Sequence, residues 1–137
     1  MIRFILIFSC SILCLIYAGQ SQSKKLIRSI YFGGGSYYID GQQEQDLILF
    51  LDSIPNIEAY NITIHSHTDN IGGAAFNKRL SELRSWSAKQ ILTPGYVKEQ
   101  AIEIQDFGQF NPVYDNSTLL GRMKNRRVDI IFWPINI

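Results

Sequence analysis

Cysteine, histidine and net charge are all in short supply in this chain. Among its 137 residues there are two cysteines, Cys10 and Cys14, and both fall within the first fourteen positions. The rest of the sequence therefore offers no disulfide, no thiol nucleophile and no cysteine-ligated metal. Histidine occurs only as His65 and His67. No nucleophile-elbow motif is present to support a serine hydrolase. The run Gly33-Gly34-Gly35-Ser36 lacks the Lys-Ser/Thr that completes a phosphate-cradling loop. The formal net charge is +1, so the basic excess that marks nucleic-acid modules is missing and no nucleic-acid partner is expected. These absences point away from an enzyme and from any cofactor.

What is present begins with a leader-like segment. Met1-Ile2-Arg3 carries one positive charge, Phe4 to Tyr17 contains no charged residue, and Ala18-Gly19-Gln20 supplies small residues. This is the layout of a secretory signal peptide. The apolar run falls short of the ~20 residues that span a membrane comfortably. Residues 1–19 are expected to be the signal peptide and 20–26 a short linker. A single domain over 27–134 follows, and the leader would export it. A retained leader would act instead as a short anchor. Ile7-Phe8-Ser9-Cys10 meets the lipoprotein pattern only partly, so lipidation is set aside. Without Arg3, basic and acidic side chains balance. A hydrophobic fraction of 46% is enough for a real core.

Periodicity organises the domain. Leu26 to Phe32 reads as a strand of β-formers. Gln43 to Ile54 places Leu47, Ile48, Phe50, Leu51 and Ile54 on one helical stripe, stopped by Pro55. Tyr60 to His65 alternates as a strand. A longer helix is expected over Ala74–Leu92, burying Phe76, Leu80, Leu83, Trp86 or Ser87, Ala88 and Ile91. Ala101 to Gln105 reads as a third strand. Ser117 or Thr118 caps a short helix through Lys124, and Arg127 to Trp133 is the last strand. This βαβαβ(α)β order predicts an α/β (α+β) two-layer sandwich with the helices on one sheet.

Two segments carry the chemistry. Asp69 follows a strand and precedes a glycine-containing turn. Arg84 lies fifteen positions further on, sharing a helix face with Asn77 and Ser81. A carboxylate and a guanidinium so placed suit a zwitterion, because a guanidinium can fork onto a carboxylate with two parallel hydrogen bonds. The same spacing also permits an internal Asp69–Arg84 salt bridge, and Asp69 alone would serve as an Asx-turn residue. Arg122, Lys124, Arg126 and Arg127 form a basic cluster that complements a helix end. His65, His67 and Asp69 alternate, so a continuous strand would converge them as metal ligands, although catalytic zinc needs three ligands with further support.

These residues together form a longer pattern: His67-Thr68-Asp69, Asn77, Leu80-Ser81, Arg84, Phe107-Gly108, Asn116, Gly121-Arg122 and Asn125-Arg126-Arg127-Val128. The pattern resembles the OmpA-like family, the C-terminal peptidoglycan-binding domain of outer-membrane protein A and of peptidoglycan-associated lipoprotein. It extends from about Ile27 to Phe132. The resemblance implies a non-catalytic module that grips the stem peptide of peptidoglycan at its meso-diaminopimelate residue, anchoring or scaffolding the envelope. By that resemblance Asp69 takes the ammonium and Arg84 the carboxylate. Asn77 and Leu80 line the pocket, Arg122 lies nearby, and Thr68 and Asn70 contribute backbone groups. An envelope protein is a second partner to consider. Ser66 stands where the family has glycine, and Ser85 where it has alanine.

Overall fold

The computed structural model describes residues 24–135; the leader expected over 1–19 lies outside them. Seven main elements follow in chain order. They are β1 (Leu26–Tyr31), α1 (Gly41–Asp52), β2 (Tyr60–His67), α2 (Ala74–Leu92), β3 (Ile102–Gly108), α3 (Leu119–Asn125) and β4 (Arg127–Pro134), with single 3-10 turns before β2 and β3. The strands form one sheet in the order β1-β4-β2-β3. β4 runs antiparallel to both neighbours, while β2 and β3 are parallel and joined through α2, as a parallel pair requires a crossover. The two-layer α/β sandwich expected from the periodicity is the architecture observed.

The interlayer core takes alternate residues of each strand. Ile30, Ile62, Ile64, Val128, Ile130 and Phe132 meet Leu47 and Leu51 of α1, Ile54 just beyond it, and Ala88 and Leu92 of α2. Phe132 is the hub, edge-on to Phe50 at 5.7 Å and to Tyr60 at 6.3 Å. Helix α1 starts two residues earlier than its apolar stripe suggests. Asp40 caps it, its carboxylate accepting from Gln43 N at 2.9 Å and from Gln43 Nε2 at 3.0 Å.

The expected stripe of α2 needs correction. Phe76 and Trp86 are more than half exposed, and Leu83 and Ile91 are only partly covered. The buried face is instead Asn77, Leu80, Ser81, Arg84, Ser85, Ala88 and Leu92, an unbroken helical face that is polar at its N-terminal half. Pattern matching on apolar residues missed it because burial there is made acceptable by hydrogen bonds. Ser81 Oγ donates to Lys78 O and accepts from Gly108 N at 3.2 Å. Ser85 Oγ donates to Asp106 Oδ1, a bond the alanine of the family pattern cannot make. Ser66 takes no positive φ, so it fits without strain, yet its hydroxyl is buried without a partner among the described residues.

The second motif builds the junction of α3 and β4. Thr118 caps α3, accepting from Gly121 N at 3.0 Å. A Cβ at position 121 would sit 1.8 Å from Asp115 O, so only glycine fits. Asn125 is fully buried and ties down the preceding loop. Its Oδ1 accepts from Val113 N and Tyr114 N, and its Nδ2 donates to Tyr114 O and Asn116 Oδ1.

Candidate ligand-binding site

Strand β2 ends at His67 with a register shift between Ser66 and His67. Thr68 N then donates to Gly108 O at 2.8 Å, and Asp69 Oδ1 accepts from Ile71 N at 3.1 Å in an Asx turn. The turn continues through Gly72 at φ +97°, where a Cβ would also press on the Phe76 ring at 3.0 Å. This turn swings Asp69 away from the two histidines. His67 instead stacks on Phe107 at 4.9 Å and His65 meets the same ring edge-on at 5.4 Å. The metal reading of His65, His67 and Asp69 therefore fails geometrically, and no cluster of three potential metal ligands occurs among the described residues. Burial, with Arg127 nearby, pulls the His67 pKa down to about 4, so its imidazole is neutral.

Arg84 is fully buried. Its Nε donates to Ser36 O at 2.8 Å, Nη1 to His67 O at 2.8 Å and Nη2 to Gly33 O at 3.1 Å. The guanidinium lies over the Phe32 ring, 4.9 Å from its centroid. Burial lowers its pKa to about 10 while Asp69 opposes the shift and Arg126 adds to it, leaving a cation at neutral pH. Three carbonyls occupy three of the five guanidinium N–H groups, so two remain for another acceptor.

The anticipated internal Asp69–Arg84 salt bridge is not what forms. Asp69 Oδ2 pairs with Arg126 Nη1 at 3.0 Å, and Arg126 Nε also donates to Phe32 O. Arg126 stood in the basic cluster and in the family pattern but was given no role at the site, since nothing local in sequence connects it to a carboxylate 57 positions away.

Thr68, Asp69, Asn77, Leu80, Arg84 and Arg126 line one cavity of about 240 Å³, completed by the turn around Gly72, by Phe76 and by Gly34 and Gly35. Five of the seven residues expected at the site thus come together. The other two do not line it. Asn70 is exposed between two lining residues, and Arg122 turns to the carbonyls of Asn116 and Ser117 at 2.9 and 3.1 Å. Arg126 holds the place expected for Arg122. Within the cavity wall, Asn77 Nδ2 donates to Ile71 O and Gln109 Oε1, while Asn77 Oδ1 is buried with no partner among the described residues. A buried acceptor left open is costly unless something donates to it.

A two-layer α/β domain with a mixed-charge cavity beyond one end of β2 is the class of molecule that fold and site define. The chain belongs to the OmpA family, whose model matches residues 31–126. It is 29% identical over 102 residues to the outer-membrane lipoprotein YfiB of Pseudomonas aeruginosa, covering 74% of this chain and 61% of that protein. It is 38% identical over 78 residues to outer membrane porin F of Pseudomonas fluorescens, covering 57% of this chain but 24% of the porin. The chain thus spans less than two thirds of either relative. Among solved structures, it superposes on the peptidoglycan-associated lipoprotein of Burkholderia pseudomallei with a TM-score of 0.65 and 26% identity, over 77% of this chain and 89% of that one. The cell wall anchor of the type VI secretion system of Pseudomonas aeruginosa has the same fold, with a TM-score of 0.68 and 20% identity over 80% of this chain and 82% of that chain.

Proposed function

We propose that this protein is a non-catalytic cell-envelope module that holds peptidoglycan through the diaminopimelate residue of its stem peptide. The observation that carries the reading is the single cavity around which Asp69, Asn77, Arg84 and Arg126 converge. The side chain of diaminopimelate ends in an ammonium and a carboxylate on one carbon. Asp69 and the open Asn77 Oδ1 are acceptors suited to the ammonium. The two spare N–H groups of Arg84, with Arg126 beside them, are donors suited to the carboxylate. The cavity is smaller than a drug-sized pocket of 300–1,000 Å³ and fits a group the size of an amino-acid end. Membership of the OmpA family and likeness to a peptidoglycan-associated lipoprotein support the coarser part of this reading, a partner in the cell wall. The location that goes with this reading is the periplasm, at the outer membrane or free between it and the wall.

One observation favours a second reading. The Asp69–Arg126 pair is already closed at 3.0 Å, as in a structural module that meets only protein partners in the envelope. Co-sedimentation with purified diaminopimelate-containing sacculi separates the two. The first reading expects the protein in the pellet and a folded Asp69→Ala variant in the supernatant. Wild-type protein left in the supernatant supports the second.

A further inference from the structure

A second concavity lies beside the first and remains unused by that reading. It is a groove of about 300 Å³ between the Gly33–Asp40 loop, α1 and α2, lined by Tyr37, Tyr38, Trp86, Glu44, Ser87 and Gln90 together with two isoleucines. Its three aromatic side chains are unusually open: Tyr37 is 46% exposed, Tyr38 73% and Trp86 56%. Exposed aromatic rings are amphipathic, with an apolar face and, in Tyr and Trp, a polar tip. Glu44 and Gln90 add hydrogen-bonding groups to the same groove.

The groove and the cavity share no lining residue but are built on the same two elements. Gly34 and Gly35 wall the cavity, and beyond Ser36 in the same loop Tyr37 and Tyr38 wall the groove. Arg84 holds that loop in place through the carbonyls of Gly33 and Ser36. Along α2 the cavity takes Asn77, Leu80 and Arg84, and the groove takes Trp86, Ser87 and Gln90. Along the axis of α2 the two sets are displaced by on the order of 10 Å at 1.5 Å per residue.

We infer that this groove is a stacking subsite for a sugar ring of the glycan strand whose stem peptide occupies the cavity, an inference that rests on the peptidoglycan reading. Pyranose rings present flat C–H faces that pack on aromatic rings, and a rim of hydroxyls that bond to carboxylates and amides. The two residues between the sugar and diaminopimelate reach about 7 Å when extended, and the lactyl link adds to this. That reach is of the same order as the displacement of groove from cavity along α2. Charge also selects the ligand. The groove carries one carboxylate and no cation, so it suits a neutral N-acetylated sugar and not a phosphate-bearing polymer.

Calorimetry with three probes tests the inference. They are the disaccharide-tripeptide containing diaminopimelate, the same tripeptide without sugar, and peptide-free glycan strands. Wild-type protein is expected to bind the disaccharide-tripeptide about tenfold more tightly than the tripeptide. Trp86→Ala and Tyr38→Ala, both at exposed positions, are expected to erase that difference and leave tripeptide affinity unchanged. Equal wild-type affinity for the two peptides overturns the sugar subsite and leaves the peptidoglycan reading intact, as does an equal loss for both in the variants. Glycan strands that bind while the tripeptide does not would keep the groove as a sugar site and overturn the cavity reading. No binding to any probe overturns both.

Discussion

The layer between helices and sheet is built in two different ways. Beneath α1 it is dry: Leu47, Leu51, Ile54 and Phe132 pack with no polar side chain among them. Beneath the first half of α2 it is polar, with Asn77, Ser81, Arg84 and Ser85 facing Ser66, Thr68 and Asp69, all buried. The first half is held by area removed from water, worth about 25 cal/mol per Å². The second is held by individually matched donors and acceptors. What the contrast teaches is where to look for a ligand. In the polar half most groups have a named partner, and Asn77, whose Oδ1 has none among the described residues, and Arg84, with two N–H groups to spare, both line the cavity.

The contrast breaks most severely at Arg84. Arg84→Met keeps the apolar stem but strands the carbonyls of Gly33, Ser36 and His67. It is expected to cost roughly 3–5 kcal/mol in urea unfolding and to abolish retention on sacculi. A loss below about 1 kcal/mol would show that the carbonyl bonds contribute little. In the dry half, Leu47→Ala is expected to cost roughly 3 kcal/mol through the cavity it leaves, with wall retention of the folded protein unchanged. Loss of retention in a folded Leu47→Ala protein would contradict the separation of the two halves.

Acid sharpens the comparison on the sheet face opposite the helices. The His67 pKa is held at about 4, chiefly by burial, against about 6.5 in the unfolded chain. Between these values the unfolded state binds more protons, so stability falls as pH falls through that window. From pH 7 to pH 4.5 the loss is about 2 kcal/mol. His65, shifted in the same direction, adds to it. Thermal melts of His67→Phe should show a shallower acid slope; an unchanged slope would place the titration elsewhere.

Smaller effects discriminate binding from stability. Asp69→Asn retains the shape of the Asx turn while removing the charge opposite Arg126. It is expected to cost roughly 1–2 kcal/mol and to release the protein from sacculi. Arg122→Ala loses two bonds to loop carbonyls, for about 1 kcal/mol or less, with retention unaffected. Detachment of a folded Arg122→Ala protein would restore that residue to the site.

Much of the fold was legible because its signals are periodic or local. The helix expected over Ala74–Leu92 has those bounds in the fold, and of the two candidate caps of α3, Ser117 and Thr118, the fold uses Thr118. The early start of α1 was also written locally, in the Asp40…Gln43 pair, but the apolar stripe drew attention away from it. The buried face of α2 was misread because Phe76 and Trp86 look like core residues, whereas Asn77, Ser81 and Arg84 are buried through partners that lie elsewhere in the chain. The site was half legible for the same reason. Asp69, Asn77 and Arg84 carry a spacing and Leu80 entered through the family pattern, but the pairing of Asp69 with Arg126 depends on how β4 leaves α3, which no local pattern encodes.

The most direct test of the zwitterion cavity compares two stem tripeptides that differ at one carbon, one ending in diaminopimelate and the other in lysine. Both offer the ammonium to Asp69 and Asn77, and only the first offers a carboxylate to Arg84 and Arg126. The diaminopimelate peptide is predicted to bind at least about tenfold more tightly, the equivalent of one charge-assisted hydrogen bond. Equal affinity for the two, or none for either, would contradict the account.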